Sequence, residues 1–96
     1  MKMVMVICPE NRTETIRELV AQHEVRAYSE LHEITGAGEK GIKHGDRIWP
    51  GKSVIVFTVV SEGKKAELFA ALKACRSSLQ SEDSLHAFVV PVEEAL

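Results

Sequence analysis

The chain alternates between short apolar runs and amphipathic stretches. Residues 2–8 are Val, Ile and Met on both faces, which predicts a strand buried on both sides. Pro9 ends that run, because proline cannot donate to a ladder. Ile16, Leu19, Val20 and His23 then recur at helical spacing, predicting an amphipathic helix over 12–23. Asn11 and Glu14 resemble a capping box at its start. On this reading Arg17 and Glu18 form an ordinary solvated face, as do Lys64 and Lys65 further on.

From Val25 to Ile34 the pattern changes to strict alternation. Val25, Ala27, Ser29 and Leu31 would make an apolar face, and Arg26, Tyr28, Glu30 and His32 a polar-aromatic one. Residues 53–60 are nearly all β-branched or aromatic, predicting a third strand. Ser61 is placed to cap a helix over 62–79, with Leu68, Leu72, Cys75 and Leu79 on its apolar stripe. Residues 80–84 make a polar turn, 86–92 a fourth strand ending near Pro91, and 93–96 an acidic tail.

The order β-α-β-β-α-β predicts an α+β, ferredoxin-like fold: a four-stranded antiparallel sheet with both helices on one face. The other face stays open. Strands apolar on both sides must bury that face, which predicts an oligomer assembled on the sheets.

The bulk composition narrows the class. Ninety-six residues bound a single domain, 1–96. An apolar fraction of 45% is that of a globular protein. A net charge of −2 gives no argument for nucleic acid or an anionic membrane as partner. No apolar run approaches the roughly 18 residues of a membrane span. The apolar start lacks a small-residue cleavage site, and the two cysteines, Cys8 and Cys75, fit a reducing cytoplasm.

The chemistry concentrates in residues 36–51, a stretch holding five of the six glycines and the only tryptophan. It is read as a long loop between the second and third strands, and loops of that length in small domains are usually functional. Gly36, Gly38 and Gly41 allow close backbone approach to an anion, and Lys40 places a charge beside them. Lys43 and Arg47 add further positive groups. From the residues alone a flexible hairpin tip is the plainer account of the glycines, and Trp49 is better read as an anchor packed against the loop's return than as a ligand-stacking ring. His44 and Asp46, with Cys8, could instead hold a metal, although no two histidines have ligand spacing. Cys8 is best read as a buried thiol, since no base or orienting group is visible near it. No catalytic triad or carboxylate pair is discernible, and a non-enzymatic protein is expected.

The segments Met3-Val4-Met5-Val6, Glu33-Ile34-Thr35, Gly36-Ala37-Gly38-Glu39-Lys40-Gly41 and Phe88-Val89-Val90-Pro91-Val92 together resemble the P-II superfamily of signal-transduction proteins, over nearly the whole chain. The resemblance implies a ferredoxin-like homotrimer involved in nitrogen regulation. It implies ligand clefts between subunits that take a small anionic effector such as ATP, ADP or AMP. It further implies a T-loop, here around 36–51, docking on a transporter or enzyme. Gly36, Gly38 and Lys40 match the family's loop-base positions. The chain departs from the pattern at Ser81-Glu82-Asp83-Ser84, where the family carries a glycine-rich nucleotide-binding run, and its loop lacks a tyrosine. Trimeric CutA-type proteins share the fold and would favour the metal alternative.

Overall fold

A computed structural model describes residues 1–38, 41–43, 52–78 and 85–96. Its central strand, β1 (Lys2–Pro9), buries Val4, Val6 and Cys8 and turns Met3, Met5 and Ile7 the other way. A 3-10 turn, Glu10–Arg12, comes directly after it. Helix α1 therefore starts at Thr13 and runs to Gln22. The expected Asn11 capping box does not form. Asn11 lies within the 3-10 turn, and Arg12 occupies the N-cap position without a side-chain cap bond. The Thr13 hydroxyl instead donates to the Glu10 carbonyl at 2.9 Å. Glu14, freed from that role, accepts from Arg17 Nη1 at 3.3 Å.

The helix ends in a Schellman motif. Glu24 adopts φ 62, the Glu24 amide donates to the Ala21 carbonyl and the Val25 amide to the Val20 carbonyl. Val25 is buried as the motif's hydrophobic contact. It consequently serves the helix terminus, and β2 spans Ser29–Ile34, four residues shorter than the alternation predicts. Between the two, the Thr58 hydroxyl donates to the Ala27 carbonyl at 2.6 Å, standing in for a ladder bond.

After β2 the chain forms two short strands, β3 (Gly36–Gly38) and β4 (Gly41–Lys43), paired antiparallel as a separate hairpin. Strand β5 (Ser53–Val60) matches its predicted bounds and pairs with β1 along its full length, from Lys2 opposite Val60 to Pro9 opposite Ser53. Helix α2 (Glu62–Ser78) begins where Ser61 accepts a bond from the Lys64 amide at 3.2 Å, as the sequence anticipates. Strand β6 (His86–Pro91) pairs with β1 alone and closes one edge.

The main sheet is antiparallel in the order β2-β5-β1-β6. That order and the helix positions are the ferredoxin-like arrangement expected. Val4, Val6, Val54 and Val56 meet Ile16, Leu19, Val20, Leu68 and Leu72 in the core between sheet and helices. The helices are also clasped directly. His23 Nδ1 lies 2.5 Å from Glu67 Oε2, and Lys64 Nζ donates to the His23 carbonyl at 2.7 Å, satisfying an acceptor at the end of α1.

Candidate functional site

The glycine-rich stretch follows β2, and β2 is tied to the helix layer. Arg17 of α1 grips Glu30 of β2 through two bonds, Nε to Oε2 at 2.7 Å and Nη2 to Oε1 at 2.8 Å. His32 Nε2 lies 2.6 Å from the same Oε1. Paired forks of this kind fix geometry as well as energy. Arg17 is the main reason the Glu30 carboxyl is held down at about 2; burial pushes the other way, and His32 adds a smaller lowering. The Arg17 guanidinium is pushed up in turn, chiefly by its bond to Glu30. A carboxylate so firmly paired holds structure and is a poor proton carrier.

Here the predicted faces of β2 reverse. Glu30 stands opposite buried Val56, on the helix side, whereas Leu31 stands opposite Ile55 on the open side and is 53% exposed. Arg17 is likewise no ordinary solvated residue. The signal available in the sequence was the i,i+2 pairing of Glu30 with His32 on one strand face, next to an arginine flanking the helix stripe.

Beyond this clamp the strand bulges. Leu31 pairs with Ile55 and Ile34 with Ser53, so β2 uses one residue more than β5 over the interval. Glu33 takes φ 58 there. Bulges of this type bend a strand and re-aim the segment beyond them. Here that segment is the hairpin, in which Gly36 faces Lys43, Ala37 faces Ile42 and Gly38 faces Gly41. The structure thus brings Gly36, Gly38, Gly41 and Lys43 onto one small ribbon, so the stretch is no plain loop. Lys40, His44, Asp46, Arg47 and Trp49 lie outside the described residues.

Cys8 is elsewhere and otherwise engaged. It is 1% exposed in the core, and burial pushes its thiol up to about 11 against the opposing effect of a hydrogen bond with Thr13. Nucleophilic attack needs an accessible thiolate, so the Cys8 thiol, enclosed in the core, reads as structural. Among the described residues no three His, Cys, Asp or Glu side chains gather as a metal site.

The open face of the sheet is apolar. Met5 lies between Phe57 and Phe88 in register, Met3 between Val59 and Val90, and Leu31 extends the patch onto β2. Phe88 is 51% exposed. No helix of the described residues is long and apolar enough to cross a membrane.

Sheet order, helix placement and the hairpin carried on β2 define a ferredoxin-like domain with an elaborated connection between its second and third core strands. The chain belongs to the family of nitrogen regulatory protein P-II, whose sequence profile matches residues 1–96. Its structural neighbours agree. CPII from Thiomonas intermedia K12, bound to ADP and bicarbonate, superposes with a TM-score of 0.75 at 18% identity, covering 93% of this chain and 82% of that one. CPII from the same organism bound to ADP, AMP and bicarbonate gives 0.76 at 18% identity, with coverage of 93% and 82%. A PII-like signaling protein of Thermus thermophilus gives 0.66 at 18%, covering 93% and 83%. No match was found among functionally curated proteins.

Proposed function

We propose that this chain is a P-II-like regulator that assembles as a homotrimer through the open faces of its sheets and binds an adenine nucleotide in the clefts between subunits. The observation that carries the reading is the glycine-rich hairpin issuing from the clamped, bulged end of β2 on a P-II fold. Opposed glycines at Gly38 and Gly41 put no side chain in the way of a phosphate approaching the ribbon. Lys40, between them in sequence, supplies the cation. CPII binds ADP, AMP and bicarbonate, which supports ADP or AMP as the nucleotide and bicarbonate as a second small anion.

The segment around 36–51, including Lys43, His44, Asp46, Arg47 and Trp49, would carry the ligand signal to a partner protein, a transporter or an enzyme. The protein signals and carries out no reaction of its own.

The test is calorimetric titration of the purified protein with ATP, ADP and AMP, with and without bicarbonate, alongside native mass spectrometry. A trimer taking up to one nucleotide per subunit, with binding weakened by Lys40→Ala at unchanged melting temperature, is the expected result. A trimer indifferent to all three nucleotides would remove the nucleotide site, and a monomer would remove the cleft altogether.

A further inference from the structure

Helix α2 distributes its cations unevenly. Lys64 is bound to the His23 carbonyl and to Glu67, and Lys65 Nζ lies 2.7 Å from Glu62 Oε2. Lys73 and Arg76, further along the same helix, have no carboxylate partner among the described residues. This occurs in a chain with more acidic than basic residues, 14 against 12. Two exposed cations three residues apart on one helix face, without a carboxylate partner among the described residues, suit an anion from outside.

They stand at the rim of a cavity. Phe69, Leu72, Lys73 and Arg76 occupy one face of α2 at helical spacing, and Leu85 and Ala87 close the space from the start of β6, leaving about 180 Å³. Leu72 and Leu85 form a floor that is almost wholly buried. The Lys73 ammonium lies 5.4 Å from the centre of the Phe69 ring, so its charge is already held over the apolar side of the opening. The cavity belongs to the helix layer. Assembly through the opposite, open face of the sheet would leave it accessible.

Its size and lining select the ligand. The opening of about 180 Å³ is small beside the usual drug-sized pocket. The floor offers no polar group to satisfy a sugar or a base. The rim offers a guanidinium, whose planar fork matches a carboxylate, and an ammonium beside it. We infer that the α2–β6 cavity binds a small amphipathic carboxylate, an aromatic or branched aliphatic acid, with its apolar body on Leu72, Leu85 and Phe69 and its carboxylate between Arg76 and Lys73. The inference rests on the lining of this cavity and not on the glycine-rich hairpin that carries the proposed function.

The experiment is a titration of the ¹⁵N-labelled full chain with sodium phenylacetate at constant ionic strength, followed by amide chemical shifts. Saturable shifts clustered at Phe69, Leu72, Arg76, Leu85 and Ala87 are expected. Arg76→Gln and Lys73→Gln, both at exposed positions and so compatible with folding, should each weaken binding by about fivefold, the size of an exposed charge contact. Phenylacetamide, of the same shape without the charge, should give no saturable shift. The proposal is overturned if phenylacetate shifts do not saturate at millimolar concentration, if they cluster on the open sheet face around Leu31 and Phe88, or if both charge variants and the amide bind as well as the wild-type pair.

Discussion

Arg17 and Glu30, thirteen positions apart on α1 and β2, form a bidentate pair with bonds of 2.7 and 2.8 Å. The pair ties the edge strand to the helix layer immediately before the bulge that launches the hairpin. Glu30 is held at about 2, below the ordinary glutamate value near 4.3. Its ionised form is therefore favoured by folding. The stabilisation is present above the unfolded value and is lost as pH falls from about 4.3 towards 2. Acid titration followed by circular dichroism should show wild-type stability falling through that window. Glu30→Gln should lower stability at neutral pH and flatten the acid limb. An acid limb of unchanged slope in the variant would show that other carboxylates govern acid unfolding.

Two backbone positions can each be improved, for different reasons. Glu24 sits at φ 62 at the C′ position of α1, where a Cβ is strained and a negative charge faces the helix's negative end. Glu24→Gly should stabilise by about 0.5–1 kcal/mol after the entropic cost of glycine is set against the relieved strain. Gly63, in the first turn of α2, meets nothing within 4 Å where a Cβ would stand, so nothing there requires glycine. Gly63→Ala should also stabilise, by about 0.4–1 kcal/mol, through the unfolded chain. Glu24→Ala, which removes the charge but keeps the Cβ, is the control and should bring a smaller gain than Glu24→Gly. Urea denaturation of the three variants checks the set, and equal effects of Gly and Ala at Glu24 would contradict the assigned strain.

Cys8 should be inert in the native state. Its thiol is buried and pushed up to about 11, so the thiolate is scarce near neutral pH and the sulfur is out of reach. Cys75, half-buried on α2, should react first with an aromatic disulfide reagent. Labelling of Cys8 should track global unfolding and accelerate in urea in step with the unfolded fraction. Rapid labelling of Cys8 at neutral pH without denaturant would contradict its place in the core.

Strong single-period patterns were readable from the sequence, and places where two elements compete for one residue were not. Ser53–Val60 and Glu62–Ser78 stand where β-branched density and the Leu68/Leu72 stripe put them. Val25 fits the alternation of a strand equally well but is taken by the α1 terminus, which moves the start of β2 to Ser29. Asn11 and Glu14 have capping-box spacing, yet the turn imposed directly after Pro9 shifts the helix start past Asn11. The polar residues of β2 looked solvent-facing because a buried carboxylate is unfavourable alone; only the arrival of Arg17 from another element makes Glu30 acceptable on the helix side. At the candidate site, glycine content singled out the stretch after β2, while the bulge at Glu33 and the pairing of Gly38 with Gly41 depend on register, which a glycine-rich segment specifies weakly.

The open sheet face offers the sharpest test of assembly. Phe88 and Leu31 are about half exposed there, one on each edge strand, while Met3, Met5 and Phe57 fill the middle. None of these side chains belongs to the core beneath the helices. A charge placed on this face should thus spare the fold and prevent apolar association, because an unpaired carboxylate in a dry interface is costly. Sedimentation velocity should find the wild type as a homotrimer and Phe88→Glu as a monomer at the same micromolar concentration. The monomer should keep its circular dichroism spectrum, and any fall in melting temperature should track loss of the trimer. A Phe88→Glu protein that stays assembled would place the contact on another surface. A wild type that is already monomeric would leave the apolar face to a different protein.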